Sequence, residues 1–110
     1  MTPAELESLA ERVEGASGRD MQLGHEILVA VGQRHPDAVA SFGYPDACHD
    51  PTASLDAAMS LVPEGFTEYD LMNANGYHEA TLNNHEALRT AWGHSDASPA
   101  LALCAAALRA

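Results

Sequence analysis

Asn75-Gly76 constrains this chain more than any other pair of residues in it. The pair is favoured in two-residue hairpin loops of the primed type, in which both central residues take positive φ. With the loop fixed, the register follows: Leu71 lies opposite Ala80, Tyr69 opposite Leu82, and Asp70 opposite Thr81. Side chains alternate along a strand, so apolar residues collect on one face while Glu68, Asp70 and Glu79 share the other. Turn chemistry and polarity pattern therefore specify the same hairpin.

The pattern predicts a third strand over about 86–92, joined through Asn83-Asn84-His85. That loop sets Leu88 against Ala80 on the core face and Glu79 against Arg89 on the solvent face. A two-residue loop turns Leu88 and Trp92 to solvent and is rejected for that reason.

Helices flank this sheet. Thr2, Pro3 and Glu5 form a capping signature, and Leu6, Leu9 and Val13 then recur on one helical face. Leu23, Ile27 and Val31 mark a second helix over about 20–31, stopped by Gly32. A third, over about 54–62, places Leu55, Met59 and Val62 on its apolar face before Pro63-Glu64-Gly65 ends it. Ser98 and Pro99 open the last helix, whose expected buried stripe is Leu101, Cys104, Ala105 and Leu108. Residues 33–53 carry no period and contain Pro36, Gly43, Pro45 and Pro51; they read as a long loop, with a helical turn at Ala38 to Phe42.

The predicted class is α+β: one domain over 1–110, with a three-stranded antiparallel sheet packed with helices. It comprises a helix pair (1–32), the long loop (33–53) and a core of helix, three strands and helix (54–110). Its last five elements share their order with the double-stranded-RNA-binding domain. Charge argues against that activity, because 16 Asp and Glu face five Arg, with no Lys, for a net charge of −11. Such a field repels phosphate backbones and anionic lipid surfaces. Neither nucleic acid nor membrane is an expected partner; a basic protein is, with simple solubility as the plain alternative.

The candidate chemistry is sparse. Cys48-His49-Asp50 has the residue types of a nucleophile, base and acid, but neighbours in sequence do not converge as a triad must. Cys48, His49 and His35, or His85 with His94, are the metal sets worth testing, although no close ligand spacing accompanies them. Glu68, Asp70 and Glu79 have the types for acid-base work and equally those of a solvated sheet face. No cofactor motif occurs. Two cysteines, a charged start and no apolar run of about 18 residues lead to the expectation of a reduced, cytoplasmic protein.

Thr52-Ala53-Ser54-Leu55-Asp56-Ala57-Ala58, Leu61-Val62-Pro63-Glu64-Gly65-Phe66 and the closing run from Ser98 to Leu108 carry a resemblance. Over about residues 52–110 the chain resembles a family of small phage and prophage proteins, the phage alpha-beta-alpha sandwich domain. The resemblance implies a phage or prophage origin, a helix-sheet sandwich and, for localisation, the host cytoplasm. It brings no activity and no site residues. Residues 33–51 depart most from the family pattern.

The resulting expectation is a non-enzymatic, acidic protein-binding module that inhibits a host basic or nucleic-acid-binding protein, such as a defence component. Its candidate contact residues are Glu7, Glu11 and Glu14 on the first helix and Glu68, Asp70 and Glu79 on the sheet. The alternatives are a virion or assembly accessory protein acting as a homo-oligomer, and a small metal-binding enzyme.

Overall fold

The computed structural model describes residues 2–35 and 48–110. The expected turn at Ala38 to Phe42 lies outside the described residues, as does most of the predicted long loop. In order, the elements are α1 (Pro3–Glu14), α2 (Met21–Ala30), α3 (Leu55–Met59), β1 (Glu68–Ala74), β2 (Tyr77–Asn84), β3 (Arg89–Ser95) and α4 (Pro99–Arg109). The strands form one antiparallel sheet in the order β1-β2-β3.

Local chemistry starts each long helix. On α1 the Thr2 hydroxyl accepts from the Glu5 amide, and the Glu5 carboxylate accepts from the Thr2 amide, both at 3.2 Å. This reciprocal box satisfies two amides that a helix start otherwise leaves unpaired. Asp20 caps α2 through the Leu23 amide, and Ser98 caps α4 through the Leu101 amide. The buried part of α3 differs from the expected stripe. Ala58 and the following Leu61 are buried, Met59 and Val62 are half-buried, and Leu55 is exposed. The helix closes at Met59, and the inward direction falls on Ala58 and Leu61, each one residue before the expected Met59 and Val62.

α4 is the centre of the molecule. Every residue from Ala100 to Leu108 is buried, beneath the sheet on one side and against α1 and α3 on others. Its alanines let backbones approach closely, and Gly93 on β3 completes the fit. A Cβ at Gly93 would collide with the Ala102 carbonyl oxygen and the Ala106 amide nitrogen, with the Ala105 methyl at 2.8 Å. Ser95 is buried at the end of β3, where its hydroxyl accepts from the Ala97 and Ser98 amides and fixes the turn into α4.

A buried polar strap joins α2 to this core. The Asp50 carboxylate accepts from Arg19 Nε at 3.0 Å, the Thr52 amide at 2.9 Å and the Thr52 hydroxyl at 2.6 Å. The Thr52 hydroxyl oxygen in turn accepts from the Asp20 amide at 3.0 Å. The Cys104 thiol donates to the Pro51 carbonyl at 3.2 Å, and burial pushes its pKa well up. Residues 50–52 are therefore part of the core, where the sequence predicted loop. Gly24 is required opposite, because a Cβ there would run into the Asp50 carboxylate.

The first hairpin has the predicted register: Leu71 pairs with Ala80, Tyr69 with Leu82 and Asp70 with Thr81. Asn75 at φ 53° and Gly76 at φ 83° make the primed turn. The second hairpin corrects the sequence reading. β3 begins at Arg89, Ala80 faces Gly93 and Asn84 faces Arg89, so the loop has four residues, 85–88. The two registers differ by an odd number of residues, which exchanges the faces. Leu88 is 91% exposed and Trp92 64% exposed, while Ala91, Gly93 and Ser95 fill the inner face. Close approach of α4 decides the matter, since the inner face of β3 has room for Ala, Gly and Ser but not for an indole.

Candidate functional site

The outer sheet face gathers most of the chemistry that the core leaves unused. Across the strands, Trp92 neighbours Thr81, which neighbours Asp70; beside that row, His94 neighbours Glu79, which neighbours Met72. Trp92 and Met72 are exposed apolar side chains, with Glu68, Asp70 and Glu79 on the same face. Tyr77 stacks on His94 with ring centroids 5.9 Å apart, and its hydroxyl donates to Glu79 at 3.3 Å. Its pKa is raised, first by burial and then by the negative charge of Glu79. Between Tyr77, Trp92 and His94 on the sheet and Glu14 and Arg109 on the helices lies a cleft of about 420 Å³.

Arg109 builds the helical wall of that cleft. Its guanidinium donates to Glu7 at 2.8 and 2.9 Å, to Glu14 at 2.8 Å through Nη2, and to the Trp92 carbonyl at 3.1 Å. Burial alone pushes the Glu14 carboxyl up. The hydrogen bonds and charge of Arg109, helped by the His94 amide, bring it below its ordinary value of 4.5. Glu7 is lowered chiefly by its hydrogen bond to Arg109, and Arg109 is itself held further in its charged form by both carboxylates.

The six sequence-predicted contact residues thus divide. Glu7 and Glu14 do not form a free acidic stripe with Glu11: they are the anionic half of an ion-pair cluster, and Glu11 alone stays outside it. Glu68, Asp70 and Glu79 share the outer sheet face as the register requires, with His85 Nε2 2.8 Å from Glu68. The sequence reading missed Arg109 and the outward Trp92. Arg109 joins residues 102 and 95 positions away, for which no local pattern exists.

Cys48, His49 and His35 are exposed, and among the described residues no group of three or more His, Cys, Asp or Glu side chains gathers as a metal site would require. His85 and His94 lie against different carboxylates, Glu68 and Glu14. Asp50 is committed to Arg19 and Thr52, and does not complete a triad with Cys48. A second concavity, about 440 Å³, lies between α1 and α2 over the Arg12–Glu26 ion pair, with His25 in its lining. Among the described residues, no helix is long and apolar enough to cross a membrane.

Comparison of the chain with family models, curated proteins and solved structures gives no match.

Proposed function

We propose that this chain is a non-catalytic binding module whose outer sheet face docks a basic protein surface. The observation that carries the reading is Trp92, the single tryptophan, 64% exposed on a face that also holds Met72, Glu68, Asp70 and Glu79. Large exposed aromatic side chains, tryptophan above all, are frequent anchors of protein interfaces. Carboxylates around such an anchor raise the encounter rate with a cationic partner and reject anionic ones. The net charge of −11 favours a basic or nucleic-acid-binding protein as the target, with inhibition as the outcome; the phage or prophage origin that the resemblance implies would make it a host protein in the host cytoplasm.

The test uses the intrinsic probe. A partner captured from host lysate should change Trp92 fluorescence on binding, and its association should slow steeply as salt rises. Trp92→Ala should weaken the complex strongly, and neutralising Glu68, Asp70 and Glu79 together should flatten the salt dependence. Binding indifferent to salt and to both changes would rule the reading out.

A further inference from the structure

We infer that the free edge of β1 is a strand-addition site for an extended segment alternating basic and apolar residues. This rests on the basic-partner reading above and specifies how such a partner engages. In a two-residue primed hairpin the closing pair, here Ala74 and Tyr77, exchanges both backbone hydrogen bonds. Alternation then turns the backbone groups of Glu68, Asp70, Met72 and Ala74 toward β2. Those of Tyr69, Leu71 and Asn73 point outward, and among the described residues nothing pairs with them. All seven residues of β1 are exposed.

The opposite edge shows that this openness is particular to β1. On β3 the same alternation turns Thr90, Trp92 and His94 outward. There the His94 amide donates to Glu14 at 3.2 Å and the Trp92 carbonyl accepts from Arg109 at 3.1 Å. Side chains from both terminal helices thus occupy two of the groups an incoming strand would need. Among the described residues β1 has no such cover, and α4 reaches it only marginally, which leaves Tyr69 51% and Leu71 38% exposed on the inner face.

The chemistry of the occupant follows from the pairing. A strand bonded to Tyr69, Leu71 and Asn73 sets its side chains at those positions on the inner face, where apolar residues would cover Tyr69 and Leu71. Its alternate residues fall on the outer face beside Glu68 and Asp70, where Lys or Arg is favoured. A second copy of this chain is the poorer occupant: it brings another net charge of −11 and a second Glu68 and Asp70 to the same face. Strand addition to an exposed edge takes affinity from main-chain bonds and specificity from alternate side chains.

The experiment titrates the full chain with a seven-residue peptide alternating Lys and Val, matched in length to β1. Two controls are a scrambled peptide of the same composition and the same peptide N-methylated at the amides that face the edge. Leu71→Pro is the protein variant. The Leu71 amide points outward, so proline there removes no bond to β2 while denying one to the ligand. The alternating peptide should bind, and N-methylation or Leu71→Pro should each weaken it about tenfold or more. Equal binding of the N-methylated and scrambled peptides overturns the edge site while leaving outer-face docking intact. Failure of the alternating peptide to bind overturns it, and so does a dimer that Leu71→Pro dissociates. Should Leu71→Pro not fold, the N-methylated peptide against the unaltered chain decides the matter alone.

Discussion

On β3, outward backbone groups meet Glu14 from α1 and Arg109 from α4, whereas on β1 the equivalent groups of Tyr69, Leu71 and Asn73 meet nothing among the described residues. The two edges of one sheet thus use different defences. β3 is closed by residues 80 and 17 positions away, so its protection exists only once both terminal helices have docked. β1 relies on Glu68 and Asp70, local charges that discourage a like-charged strand and attract a cationic one. One edge is therefore closed by the fold, whereas among the described residues the other is offered to solvent.

The largest effect should come from breaking the closed side. Gly93→Ala drives a methyl into the α4 backbone at Ala102 and Ala106, which cannot move aside as a side-chain tip could. Overpacking of this kind should cost about 3 kcal/mol, read as a lower denaturant midpoint. The matching change on the open side, Leu71→Ala, should cost under about 1 kcal/mol, because Leu71 is already partly in water. Similar costs at the two positions would mean that α4 does not sit where β3 requires.

Arg109→Met comes next. It leaves Glu14, whose side chain is only 9% exposed, without its main counter-charge, and it uncovers the Trp92 carbonyl. A loss of about 2 kcal/mol at neutral pH is expected. The same variant reports a pH dependence. Glu7 and Glu14 have folded pKa values below the ordinary 4.5, so in the folded state they bind protons less readily than in the unfolded chain. Their contribution is present above that value and is lost as pH falls through the lowered ones. The unaltered chain should lose stability on acidification below about pH 4.5; in Arg109→Met that acid slope should be visibly shallower. Identical slopes would remove the cluster from the account of the closed edge.

Gly76→Val tests the hairpin that presents β1. At φ 83° a β-branched residue is resisted by about 1–2 kcal/mol. An unchanged denaturant midpoint would mean that this turn does not set the β1–β2 register.

Much of this molecule was legible because its signals are local. The Thr2–Glu5 box, the Ser98-Pro99 start and the Asn75-Gly76 turn each act within four residues, and the structure contains all three. What failed to show in sequence depends on distant partners. The Asp50-Pro51-Thr52 strap reads as loop until α2 and Cys104 are brought beside it. Glu7 and Glu14 read as an acidic stripe until Arg109 arrives from the last helix. Trp92 reads as inward on the general tendency of apolar residues to be buried, a tendency that the close approach of α4 to Gly93 overrides. Of the candidate face, the acidic half was legible from strand alternation; its aromatic half depended on a loop length that composition does not fix.

The smallest predicted effect reverses the usual sign and tests that loop directly. Leu88 sits at φ 54°, in the left-handed region, with 91% of its surface in water. The strain of that conformation is not offset by burial, and asparagine adopts it more readily than leucine. Leu88→Asn should therefore stabilise the domain by about 0.5 kcal/mol, seen as a slightly higher denaturant midpoint. The register inferred from sequence predicts the opposite. With Leu88 on the core face against Ala80, the same substitution would bury an amide in place of an alkyl chain and cost about 2–4 kcal/mol. The two outcomes differ in sign as well as size, so one melt distinguishes them. The consequence reaches the β3 edge, since the four-residue loop is what turns the backbone groups of Trp92 and His94 toward Arg109 and Glu14. A destabilised variant would return Trp92 to the core, reopen the edge that Arg109 and Glu14 cover, and remove the anchor from the proposed binding face.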